Sequence, residues 1–416
     1  MKKKRRKMWQ YPWGYRESFA IGFALLIIGF LIELFSPADA IYLPRWPFNM
    51  ILIVALIAYI IISYRMVQHP VMKWLSSTAA AIASISIFTI LVLMLGFIPQ
   101  SDETGGSLLV DLGLTHVVKS WPYIMVSFYL LIILGYTIVR KFLPFSLKNF
   151  AFFLNHAGLF VVIIAASLGS ADLKRLNMTL QENQSVFTAY DSEGRPYQMP
   201  FALKLLDFSI RQYPPSIGLV DKKTGKFAIE EMGQLIEVEE GFTGTYGDWE
   251  IRIDTFLADA YLDKGSYIPS NKVGAPPAAK LSVRNLKSAD LKEGWVTSGS
   301  FLLPNKFLHL SERWAIAMRV PAPREYSSDI RFFTSMKEYE DFTIKVNDPF
   351  RIHGWTIYQT GFDEKMGKWS QISIVEVVRD PWLPVVFGGI FMILLGSLYL
   401  VWMGRTKNKK TENELD

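Results

Sequence analysis

Cysteine is absent from the 416-residue chain. Its absence excludes a disulfide framework, a thiolate metal site, a CxxC redox pair and a CxxCH sequence for covalent haem attachment. Any metal or cofactor must then be held by histidine, methionine or carboxylate, or by a partner. Histidine is itself scarce, with five in all, at His69, His116, His156, His309 and His353. No two of them stand in HxH or HExxH spacing, so a zinc site is not expected. A Ser-His-Asp order, a nucleophile elbow and a Walker glycine loop are also missing, and the lone Gly105-Gly106 pair reads as a linker. A self-contained catalytic centre is therefore not expected. Internal repeats are lacking too, which disfavours a solute transporter built from symmetric halves.

Apolar residues, by contrast, make up 50% of the chain. Six stretches, at 17–36, 48–65, 76–97, 121–139, 150–169 and 383–403, are long and apolar enough to read as transmembrane helices. The net charge of +6 is concentrated at the ends: KKKRRK at 2–7 precedes the first run, and Arg405, Lys407, Lys409 and Lys410 follow the last. A basic hexamer also occurs in nuclear localisation or nucleic-acid binding. Beside membrane spans it reads as a topology signal, and no nucleic-acid partner is expected. Arg65 and Lys73 lie between spans two and three, and Arg140, Lys141 and Lys148 between spans four and five. The loops at 37–47 and 98–120 are poorer in Lys and Arg and carry Asp39, Asp102, Glu103 and Asp111. This bias places both termini in the cytoplasm. No small-residue cleavage site follows the first run, so a cleaved signal is not expected.

The segment 170–382 differs in composition, with charges, Gly and Pro in place of long apolar runs. Alternation in LKLLDFSIRQY, DWEIRIDTFLA, FRIHGWTIYQTGF and WSQISIVEVV predicts strands, the last two forming a hairpin around DEKMGK. Loops are predicted at 214–216, 273–279 and 320–325, where prolines cluster. The expected architecture is a polytopic α-helical membrane protein of six spans. A large β-rich extracytoplasmic domain, sandwich-like or of stacked hairpins, lies between the fifth and sixth. Its parts are a basic N-terminus (1–16), a five-helix region (17–169), the outer domain (170–382), the last span (383–403) and a cytoplasmic tail (404–416).

Two residues break the apolar pattern. In FAFFLNHAGLFVVIIAASLG, at 150–169, Asn155 and His156 sit where hydrocarbon is expected. An ionisable group inside a membrane is by default a functional-site hypothesis that needs a named partner. His156 lies about 9 Å from the cytoplasmic end of its helix, in the inner half of the bilayer. Phe152, Leu159, Phe160 and Ile163 share its face at spacings of three and four, a surface suited to a flat apolar macrocycle. Ala151, Asn155 and Gly158 form an adjacent small face where another helix can approach. Imidazole is a common axial ligand of haem iron. The same residue also fits a plain interhelical hydrogen bond with no cofactor, and the pattern alone leaves both open. Among the other histidines, His69 reads as a solvated loop residue and His353, beside Gly354-Trp355, as structural. His116 stands on the outer side near Lys119, either an ordinary interfacial residue or a contact for a haem propionate. Trp121, Trp382 and Trp402 read as aromatic-belt anchors, and Glu33 as a side chain that reaches the interface.

From about 145 onward the chain resembles the ResB/CcsB family of System II cytochrome c biogenesis proteins. The resemblance rests on the His-bearing helix, the large β-rich domain and the return through HGWTIYQTGFDEKMGKWSQISIVEVVRDPW into a final span. Within it, Tyr358-Gln359, the Ser373-to-Val377 spacing and Arg379-Asp380-Pro381 carry the most specificity. The resemblance implies a CcsA-type membrane partner with which the chain carries haem b outward for attachment to apocytochrome c. It implies His156 as a haem axial ligand, with Phe152 and Phe160 packing the haem, in a bacterial cytoplasmic membrane. The partner's tryptophan-rich motif is missing here, so the chain corresponds to an unfused subunit rather than a complete haem lyase. The compact family form has three helices before the outer domain, so either the first two of the five here are an N-terminal addition or the helix correspondence shifts. The competing reading is a membrane-anchored assembly protein whose outer domain binds another component and which holds no haem.

Overall fold

The computed structural model describes residues 9–35, 43–64, 69–100, 108–143, 146–228, 235–334 and 338–412. The basic run at 2–7, Asp39, Arg65, Asp102, Glu103 and Gly105-Gly106 lie outside the described residues, as do the side chains of Lys148, Arg405, Lys407, Lys409 and Lys410. The chain divides into two compact units. One comprises residues 1–173 and 380–416, the other Lys174–Arg379.

The first unit is helical: α1 (Tyr15–Phe35), α2 (Phe48–Ser63), α3 (Pro70–Leu75), α4 (Thr78–Phe97), α5 (Leu108–Asp111), α6 (Trp121–Phe142), α7 (Phe150–Leu168) and α8 (Leu383–Glu412). Six of these match the apolar stretches, and five are long and apolar enough to cross a membrane. The exception is α2, whose 16 residues span about 24 Å, short of the roughly 30 Å hydrocarbon core unless flanking residues extend it. The helix starts follow local chemistry. The Ser77 hydroxyl accepts from Ala80 N at 3.2 Å to cap α4. The Asp380 carboxylate accepts from the backbone N–H groups of Trp382 and Leu383, each at 3.0 Å, with Pro381 between them. Two of the three residues in Arg379-Asp380-Pro381 are thus a helix start.

Helix α6 is the hub of this unit and packs on α1, α2, α4 and α7. Its Leu130, Leu131 and Leu134 meet Ile53, Leu56 and Ile60 of α2 and Phe160, Ile163 and Ile164 of α7 in one apolar cluster. Helix α8 lies along α7 and leaves Phe387, Phe391, Leu394, Leu395 and Leu398 exposed, a surface suited to lipid or another helix.

The second unit is the expected β-rich domain. It opens with β1 (Lys174–Gln181), β2 (Ser185–Tyr190) and β3 (Pro196–Gln212). An insertion follows, with β4 (Ser216–Asp221), β5 (Ile236–Glu237), β6 (Thr243–Tyr246), β7 (Trp249–Leu257), β8 (Ala260–Asp263), β9 (Ser266–Pro269), β10 (Ala278–Asn285), β11 (Leu291–Thr297), β12 (Leu308–His309) and β13 (Trp314–Arg319). It closes with β14 (Pro323–Phe333), β15 (Tyr339–Lys345), β16 (Phe350–Ile352), β17 (Trp355–Phe362) and β18 (Ile372–Arg379).

Eight strands form one antiparallel sheet in the order β15-β14-β3-β2-β1-β18-β17-β16. Its edge strands β15 and β16 approach each other, so the sheet curls around a core that includes Leu203, Phe332, Trp355 and Val377. The inserted strands form two four-stranded sheets, β11-β10-β7-β6 and β12-β13-β4-β5. These face each other across Ile217, Ile316, Ile251 and Leu281 as a small sandwich. The predicted hairpin is present as β17 and β18. FRIHGWTIYQTGF contains a further hairpin: His353 and Gly354 both take positive φ (48° and 78°) between β16 and β17, as a two-residue primed turn requires.

Candidate functional site

His156 sits in the second turn of α7 and is partly exposed. Its Nδ1 lies 2.8 Å from the carbonyl oxygen of Phe152, one turn earlier. A carbonyl can only accept, so Nδ1 carries the proton and Nε2 keeps its in-plane lone pair. The Phe152 ring stacks on the imidazole, with centroids 3.7 Å apart and planes 21° from parallel. That stack covers a face of the imidazole, and among the described residues no hydrogen bond or ion pair engages Nε2. Lys141, which the sequence offered only as a topology charge, has its Nζ 5.9 Å from the centre of the Phe152 ring.

The small face next to His156 is occupied by α8. A Cβ on Gly158 would stand 2.6 Å from the carbonyl oxygen of Gly389, and one on Gly396 would stand 3.0 Å from that of Ala151. Asn155 donates to the Ala151 carbonyl at 3.1 Å and accepts from the Ser397 hydroxyl at 3.0 Å. The amide is thus a clasp between helices. The apolar face itself is divided. Phe160 and Ile163 are 8% and 6% exposed and lie in the cluster against α6, with Leu159 packed beside it. Phe152 stacks on the imidazole.

Three further readings change. Trp382 is buried rather than belt-like: its Nε1 donates to Asp172 Oδ2 at 2.7 Å and its ring lies over Gly169. Asp172 also accepts from Trp46 N at 2.9 Å and from Asn49 Nδ2 at 2.8 Å, tying the starts of α2 and α8 to the end of α7. Glu33 is 6% exposed, with its side chain turned into the protein. Its carboxylate accepts from Trp121 N at 2.7 Å, at the positive end of α6. His116 Nε2 stands 3.5 Å from the other Glu33 oxygen, which places that imidazole inside the loop rather than free on the surface.

The ring of His69 accepts from Val71 N at 3.4 Å and caps α3. His353 stacks on Phe332 at 5.9 Å. His309 is exposed at the rim of a 570 Å³ depression with Lys222 and Arg319. Among the described residues, no three His, Asp or Glu side chains gather as a metal site.

The motif residues of the β domain meet in its core. The Ser328 hydroxyl on β14 lies 2.6 Å from Gln359 Oε1 on β17 and 2.7 Å from the Ser373 hydroxyl on β18. Gln359 Nε2 donates to the Gly361 carbonyl at 2.9 Å and to Ser373 Oγ at 3.1 Å. All three side chains are buried, at 0%, 6% and 0% exposure, so curling of the sheet has closed a polar network between strands far apart in sheet order.

The ResB-like family matches residues 296–375, the stretch that holds all three of these side chains. Over that stretch the chain is similar to this family. No curated protein matches it. The matched segment runs from the end of β11 into β18. His156 lies outside it.

Proposed function

We propose that this ResB-like chain is the membrane subunit of a System II cytochrome c synthase. With a CcsA-type partner it carries haem b across the bacterial cytoplasmic membrane and supports its attachment to apocytochrome c. The observation that carries this reading is the state of His156. Its Nδ1–H is engaged by its own helix, its Nε2 lone pair is free, and it lies in an apolar helix. A hydrogen bond at the far nitrogen orients an imidazole ligand and raises its basicity. The residues present therefore fit haem iron at Nε2, with the second axial ligand from the partner.

The other side chains have distinct roles in this reading. Phe152 holds the imidazole plane. Lys141, near Phe152 at the start of the connection between α6 and α7, offers a cation for a propionate. Phe160 acts from inside the bundle, fixing α7 on α6. In the topology set by the charge bias, both termini are cytoplasmic and the β domain is outside, where apocytochrome arrives. Attachment adds a cysteine S–H across a haem vinyl group. That step needs positioning more than a protein nucleophile, and holding the two reactants together supplies much of its barrier.

The test is co-expression with a CcsA-type subunit, purification and a visible spectrum. A Soret band is expected, and it should be lost or strongly weakened in His156→Ala at unchanged yield of the complex. A colourless complex, or a band indifferent to the substitution, overturns the reading in favour of a membrane-anchored assembly protein that binds no haem.

A further inference from the structure

A cavity of about 570 Å³ opens on the β domain, on the face of the sheet β12-β13-β4-β5 turned away from the sandwich core. Strand alternation makes that face. Ile316 of β13 and Leu219 of β4 point into the core, so Ala315, Ala317 and Val220 point the other way and form the cavity floor. The floor is closed, with these three at 2%, 2% and 8% exposure. The apolar surface that a ligand can reach is on the walls, at Phe307 and Val320, which are 39% and 66% exposed.

Three basic side chains stand at the rim, Lys222, His309 and Arg319, and all three are exposed. Among the described residues no carboxylate lines the cavity, and none forms an ion pair with any of the three. The contrast lies close by, where Arg313 binds Asp221 at 2.8 Å. The register spaces the cations. Lys222 N donates to the Arg313 carbonyl, His309 pairs with Ala315, and Arg319 pairs with Ser216. Arg319 is six residues beyond Arg313, so the basic groups are spread over about 20 Å of strand.

We infer that this cavity binds an amphipathic carboxylate, an apolar body with an acidic end. Arg319 takes the carboxylate through its planar pair of N–H donors, and the body lies along Phe307 and Val320. Lys222 adds positive charge at the other end, and the His309 ring stands between them. The volume lies in the range of small-molecule sites, whose usual form is apolar walls with a few polar groups that orient the ligand. An inorganic anion makes no use of the walls, and a neutral lipid makes none of the cations. An extended polypeptide fits less well, because the backbone groups of a sheet are spent on neighbouring strands and leave those of a chain laid on its face unpaired. The required chemistry belongs both to a fatty acid and to a porphyrin with its propionates. The site rests on the β domain alone and stands or falls separately from the haem reading.

The test uses the full chain in phosphatidylcholine nanodiscs, photolysed with a diazirine-bearing palmitate and mapped by mass spectrometry of its peptides. Saturable labelling of the peptide that contains Phe307 is expected. Its half-saturation should rise about tenfold in Arg319→Gln, the loss of a charge-assisted hydrogen bond. Lys222→Gln should act in the same direction and decides the matter if the first variant does not fold. Both side chains are exposed, so an unchanged thermal midpoint is expected and is checked for each. The methyl ester of the probe should leave this peptide unlabelled. Competition by oleate alone assigns the site to an acyl carboxylate, and stronger competition by metal-free protoporphyrin IX assigns it to a porphyrin. Equal labelling by acid and ester, labelling indifferent to both substitutions or to both competitors, or adducts confined to the apolar helices overturns the proposal.

Discussion

Ser397 donates to the side-chain oxygen of Asn155 at 3.0 Å, and glycines near that bond bring α7 and α8 into backbone contact. Helices in lipid gain little from apolar contact alone, so close backbone approach and a few polar bonds hold such pairs together. The helix that carries His156 is positioned by this seam on one side and by α6 on the other.

The seam should be far more sensitive to volume than to the loss of one hydrogen bond. Gly158→Leu places a side chain where a bare Cβ already stands 2.6 Å from a backbone oxygen. It should cost about 1–3 kcal/mol or prevent docking of α8 altogether. Ser397→Ala should cost about 0.6 kcal/mol. Thermal unfolding in detergent checks the order, and equal small effects would contradict the close packing described.

The polar network of the β domain makes a prediction of the opposite kind, in which more substitutions do less damage. Gln359→Leu alone leaves the buried hydroxyls of Ser328 and Ser373 short of a partner and should cost about 1–3 kcal/mol. Replacing all three, with Ser328→Ala and Ser373→Ala added, should recover part of that loss, because no unsatisfied hydroxyl remains at these positions. Denaturant midpoints followed by tryptophan fluorescence measure both. A strictly additive loss would contradict the network.

Acid should weaken the β domain at identifiable pairs. Arg331 binds Asp341 through two hydrogen bonds, at 2.6 and 2.7 Å, between β14 and β15. The guanidinium holds the Asp341 carboxyl below its ordinary range. A carboxyl depressed by folding contributes stability above its unfolded pKa of about 3.9 and loses it as pH falls through the folded value. The thermal midpoint should therefore drop with acid below about pH 4, and Asp341→Asn should flatten part of that drop. A pH profile identical in the variant would contradict the assignment.

The parts of this protein legible in the sequence are those written locally. Apolar runs of helical length marked the helices, of which α2 ends at Ser63. The Ala151, Asn155 and Gly158 face was legible because small residues at helical spacing mark close approach, although nothing local named α8 as its partner. Glu33 and Trp382 were misread for one reason. Each looks interfacial by position, and only the fold-back of residues 116–121 and of Asp172 supplies its buried partner. The Ser328–Gln359–Ser373 network was likewise hidden, since it depends on curvature that brings β14 against β17 and β18, and alternation carries no curvature. The divided face of α7 shows the same limit. A stripe of apolar side chains reads alike whether it meets another helix, as Phe160 does, or stays with the imidazole, as Phe152 does.

The most direct test of the central claim, that His156 Nε2 ligates haem iron, is chemical rescue of the side chain. His156→Gly is purified with a CcsA-type subunit, and its visible spectrum is recorded before and after free imidazole is added. Loss of the Soret band with its return on imidazole is the predicted result. A band of full strength in the variant without imidazole would contradict it.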